Sequence, residues 1–83
     1  MTLAGMRQSR MTYEQAQQAL LTLARRNSGL ITADAVEADP DLAADRNTVT
    51  AAGRALASET NVFAVPRDDD GWFPYDEIRI TVL

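Results

Sequence analysis

The sequence predicts a small α+β domain of three helices followed by a C-terminal β-hairpin. Up to Ser58, apolar residues recur at helical spacing. Beyond Asn61 the pattern changes to alternation, broken by prolines and by an aspartate run that ends in glycine. Length supplies the third observation, because 83 residues hold one hydrophobic core and leave no room for a second. Residues 1–10 carry Arg7 and Arg10 without the apolar run of a signal peptide, so they are read as a flexible polar leader, and 11–83 as one domain.

The first helix starts at Thr12, which stands at capping-box spacing from Gln15, and carries the stripe Ala16, Ala19, Leu20, Leu23 and Ala24. Arg25 and Arg26 fall in its last turn, where cations favour the helix dipole, and Asn27-Ser28-Gly29 supplies a left-handed exit. Leu30-Ile31 is long enough only to add a rung to a small sheet before Thr32 caps a second helix, Ala33 to Ala38. That helix stops at Asp39-Pro40, since the residue before proline leaves helical dihedrals. Asp39 then caps a short helical turn over residues 40–44. The third helix runs from Arg46 to Ser58 with Asp45 or Asn47 as its cap. Val49, Ala52, Gly53 and Leu56 form its inward stripe, and Asn47, Thr48, Thr50, Ala51, Arg54 and Ser58 face outward.

The hairpin is expected to pair Val62–Val65 with Trp72–Tyr75 across the turn Asp68-Asp69-Asp70-Gly71. In that register Asp68 stands opposite Trp72, Pro66 opposite Pro74, and Phe63, Val65, Phe73 and Tyr75 share the core face. Neither proline donates to a ladder, so a bulge is expected near the tip. Trp72 then points away from Phe63 and Phe73, toward solvent or a partner, or covers the end of the core. The tail alternates Ile78, Ile80 and Val82 with Arg79 and Thr81. It can bury one face against the domain or pair with a second copy as a homodimer.

Cysteine, histidine and lysine are absent. Disulfides, thiol or imidazole chemistry and Schiff bases are thereby excluded, and no enzyme and no cofactor are expected. The acids Asp39, Asp41 and Asp45, or Asp68, Asp69 and Asp70, invite a calcium reading. Counting an EF-hand loop from Asp39 puts Ala44 and Thr50 where glycine and glutamate belong, and from Asp68 it puts Phe73 and Arg79 there. No metal site is expected. No apolar run approaches the ~18 residues of a membrane helix, and the expected location is cytoplasmic.

The order helix, short strand, short helix, helix, hairpin resembles the winged-helix branch of the helix-turn-helix superfamily from Thr12 to about Tyr75. The segment Asn47-Thr48-Val49-Thr50-Ala51-Ala52-Gly53-Arg54 is similar to the start of a recognition helix. Phe63-Ala64-Val65-Pro66 followed by Gly71-Trp72-Phe73 is similar to a wing. The connection between the second and third helices is longer than the three or four residues usual for the motif. The resemblance implies a regulatory binding module contacting its partner through Arg46, Asn47, Thr48, Thr50, Arg54, Arg67 and Trp72. With double-stranded DNA, Arg54 and Asn47 would read base edges in the major groove, Thr48 and Thr50 would touch phosphate, and Arg67 with Arg25 or Arg26 would add backbone contacts. Charge argues for the other partner class. The net charge is −4, five acids lie between Asp34 and Asp45, and three more sit on the wing tip. Phosphate neutralisation is thus opposed, and the balance favours a protein partner.

Overall fold

The computed structural model describes residues 11–81. Its elements are α1 (Tyr13–Arg26), β1 (Leu30–Thr32), α2 (Ala33–Ala38), α3 (Pro40–Ala43), α4 (Arg46–Ala57), β2 (Val62–Pro66) and β3 (Tyr75–Ile80). Together they make a small α+β fold in which helices cover one face of a three-stranded antiparallel sheet of order β1-β3-β2. The leader and the last two residues, Val82 among them, lie outside the described residues.

The helices begin and end where local chemistry dictates. The Thr12 hydroxyl accepts the Gln15 N–H at 3.1 Å, and the Gln15 side chain accepts the Thr12 N–H at 2.9 Å, closing the capping box. Ser28 and Gly29 both take positive φ, 57° and 95°, and the Gly29 N–H donates to the Ala24 carbonyl at 2.7 Å, turning the chain out of α1. Glycine is required at that point: a Cβ on Gly29 would lie 2.5 Å from the Ile80 carbonyl oxygen. Thr32 caps α2, and Asp39 caps the single turn α3 through the N–H groups of Asp41 and Leu42. The predicted third helix is α4. Val49, Ala52 and Gly53 are buried along it, Leu56 packs at the core's margin, and Ser58 is its C-cap.

The hairpin differs from the expected register. β2 pairs with the tail, Val62 opposite Ile80, Phe63 opposite Arg79, Ala64 opposite Ile78 and Val65 opposite Glu77; a bulge then leads to Pro66 opposite Tyr75. Residues 67–74 form a long loop, closed by the Arg67 N–H donating to the Pro74 carbonyl at 3.1 Å. Pairing parity explains the change. Residues directly opposite each other share a face, and buried Ile78 and Ile80 turn Ala64 and Val62 toward the helices. Phe63 and Val65 are therefore placed on the outer face, 72% and 47% exposed, rather than in the core. The bulge falls near the tip, between Val65 and Pro66. Packing inside the domain is the role taken by Ile78 and Ile80, since β3 has a neighbour on each side.

Phe73 still reaches the core, but from the loop. It is the largest fully buried side chain and joins Leu20, Ile31, Leu42, Val36, Val49 and Ile78 in one cluster. It lies directly on Gly53 of α4, where an added Cβ would come within 2.8 Å of its ring. The two phenylalanines thus have opposite energetic roles. Phe73→Ala is expected to cost about 3–5 kcal/mol as a core truncation, whereas Phe63→Ala should stay within about 0.5 kcal/mol of the parent. Urea unfolding of both variants checks this.

Candidate functional site

Two surfaces of the described residues carry the expected contact residues or large exposed apolar side chains: the outward face of α4 with the loop 67–74 beside it, and the outer face of the sheet. Arg46, Asn47, Ala51, Arg54 and Ser58 are exposed on α4, with Thr48 and Thr50 half-buried between them. This helix contains no acid from Arg46 to Ala57. Asp45, at the N-cap position, makes no capping bond to the backbone. It is buried and accepts the Met11 N–H at 3.0 Å and the Thr48 hydroxyl at 3.2 Å, tying the start of α1 to the start of α4. Of the two expected caps, Asp45 occupies the position, and its carboxylate serves a long-range contact instead. Thr48, expected to touch a partner's phosphate, already has its hydroxyl engaged.

Trp72 does not point away from Phe73 as the expected register required. The two rings meet edge to face, 6.0 Å apart at 84°, and the Phe73–Tyr75 rings make a similar contact. Trp72 is half-buried at the margin of the core, and the Arg46 guanidinium stands 5.7 Å from its ring centroid. Such a pair is worth about 0.5–1 kcal/mol at an exposed site. It joins the loop 67–74 to the first turn of α4, so two of the predicted contact residues are brought side by side.

Arg67 is held against the loop 67–74 rather than offered from it. Its side chain is 11% exposed, and its Nη1 donates to Glu37 at 2.8 Å while Nε donates to Asp69. The guanidinium lies over Gly71, which has no side chain to obstruct it. The hydrogen bond to Asp69 is the largest cause raising its pKa above the ordinary arginine value; desolvation opposes it, and the Asp69 and Glu37 charges add to it. The same Glu37 oxygen accepts the Phe73 N–H at 3.0 Å. One carboxylate on α2 therefore fixes both sides of the loop. Nothing in the sequence spacing flagged Glu37, which lies 30 residues from Arg67 in an acid-rich stretch that reads as solvated surface.

The outer sheet face carries Phe63 and Val65 from β2, Glu77 and Arg79 from β3, and half-buried Leu30 and Thr32 from β1. Glu77 and Arg79 approach only to 3.8 Å, with both side chains substantially exposed. Asp68, Asp69 and Asp70 are exposed at the loop end of this strand pair and Glu59 precedes the other end of β2. Among the described residues no three acids gather where they could hold a metal ion, and no helix is long and apolar enough to cross a membrane. Neither a protein-family model, nor a curated protein, nor a solved structure matches the chain.

Glu37→Gln keeps the shape of the side chain but removes the charge facing Arg67. It is expected to speed amide exchange at Phe73 by about tenfold, through easier local opening of the loop, while amides in the middle of α1 keep their rates. Native-state hydrogen exchange measures both in one sample.

Proposed function

We propose that this chain is a non-enzymatic, winged-helix-type binding module whose wing strand meets a protein partner. The winged-helix assignment is supported by the element order and by the sheet order β1-β3-β2, in which the strand between the first two helices pairs with the returning strand of the hairpin. The observation that carries the partner class is Phe63, 72% exposed beside Val65 on a sheet face that no helix among the described residues covers. Covering a phenylalanine side chain stabilises by about 1.5–3 kcal/mol, and the fold by itself does not use that contribution. The electrostatics agree. The wing presents aspartates, and Arg67, the cation a DNA backbone would need there, is neutralised by Glu37 and Asp69. Lacking histidine, cysteine and lysine, the chain has few groups for catalysis.

Double-stranded DNA is the second reading, and one observation favours it: α4 is free of acids and exposes Arg46, Asn47 and Arg54 together. Under it, α4 enters the major groove with Arg54 and Asn47 at base edges and Arg46 near phosphate.

A photo-crosslinking side chain placed in turn at positions 63, 54 and 18, in cells producing the protein, separates the two. Protein adducts at position 63 that are absent at exposed position 18 are the expected result. Nucleic-acid adducts at position 54 with nothing at 63 would overturn the protein reading. So would shifts confined to the amides of residues 46–58 when mixed-sequence duplex is added at low salt.

A further inference from the structure

Among the described residues no strand pairs with the outer edge of β2, so its backbone, and not only its side chains, is open to a partner. The Thr81 N–H donates to the Asn61 carbonyl and the Ile80 N–H to the Gly29 carbonyl. Antiparallel strands alternate between hydrogen-bonded and non-bonded pairs. Phe63 and Val65 therefore turn their amides toward β3, while Ala64 turns its N–H and carbonyl off the free edge of the sheet. The Val62 and Pro66 carbonyls share that direction. The Val62 N–H is already given to the Glu59 carbonyl at 3.2 Å, and Pro66 has none. The edge thus offers three acceptors and one donor.

From this geometry we infer that β2 accepts an extended peptide as a fourth, antiparallel strand, one with apolar side chains alternating along its centre and basic residues at both ends. The inference rests on the protein-partner reading and specifies its binding mode. A peptide residue opposite Ala64 exchanges two hydrogen bonds with it. Its neighbours two positions away donate to the Val62 and Pro66 carbonyls, and the side chains between them lie against Phe63 and Val65. Charge selects the ends, because β2 runs from Glu59 to the aspartates 68–70. A second copy of this chain fits less well. Centred on Ala64, self-pairing makes only the two Ala64 bonds, since neither Pro66 nor the engaged Val62 N–H can donate. It also sets Glu59 of one copy toward the aspartates of the other. Pro66 thus protects the edge from its own kind while leaving it open to a chain with free amides.

The test is titration of the full chain with the capped peptide RKTVTVTKR, following amide shifts and hydrogen exchange. Binding is expected to shift residues 62–66 and to slow exchange of the Ala64 N–H about tenfold, because only backbone pairing covers that proton. Asp68→Asn with Asp70→Asn, which spares the Asp69 contact to Arg67, should weaken binding about threefold at low salt. Methylating the three threonine amides of the peptide should abolish the Ala64 protection. Shifts at Phe63 and Val65 without Ala64 protection would overturn strand addition and leave the protein-partner reading standing. No shift at all up to about 2 mM peptide, the range of weak contacts, would also overturn strand addition, with the crosslinks at position 63 deciding the broader reading separately. Ala64 protection that grows with protein concentration before peptide is added would make a second copy the occupant and overturn the inference.

Discussion

The seating of Phe73 on Gly53 is the contact on which the rest of this small fold depends. Only a glycine lets a ring approach α4 so closely, and the ring fills the centre of a core built otherwise from aliphatic side chains. A loop residue cannot be held in such a place by packing alone, because its backbone amide enters with it and must be satisfied. Glu37 accepts that amide and, with the same oxygen, grips Arg67 at the near end of the loop. Burial and hydrogen bonding thus fasten one segment from two sides.

That arrangement decides what the surface has to offer. With Phe73 inside, β2 pairs with Ile78 and Ile80 in a register that turns Phe63 and Val65 outward. Arg67 is drawn inward to pair with Glu37 and Asp69, and Asp68 and Asp70 stay exposed beside it. The molecule is left with a basic, acid-free helix face and an apolar strand flanked by acids. In the proposed reading these suit different partners, and the exposed aromatic weighs toward protein. Trp72 joins α4 to the loop through Arg46 and packs edge to face on Phe73.

The helical half was legible in the sequence because its signals are local. Thr12 with Gln15, Asn27-Ser28-Gly29, Thr32 and Asp39-Pro40 each act over a turn or less, and each does in the structure what its chemistry requires. The sheet was half legible. Alternation was visible in residues 62–65 and again in 78–82, but which run pairs with which depends on contacts distant in sequence, and proximity favoured Trp72–Tyr75. A strand pattern also gives two faces without naming the inner one; Phe63 with Val65 is the bulkier pair beside Val62 with Ala64, so size pointed to the wrong face. Phe73 was legible as a core residue, though as part of a strand rather than a loop, and the Glu37–Arg67 pair, 30 residues apart, had no local signature. Of the expected contact residues, Arg46, Asn47, Arg54 and Trp72 lie together or close by, whereas Thr48 and Arg67 carry internal bonds.

The choice between the two phenylalanines is open to direct observation. Aromatic-edited nuclear Overhauser spectra of the full chain should connect the Phe73 ring protons to the Gly53 α-protons and the Val49 and Leu20 methyls, with the Phe63 ring showing only its strand neighbours. Cross-peaks from the Phe63 ring to Val49 and Leu20, with a Phe73 ring that touches neither, would contradict the account at its root.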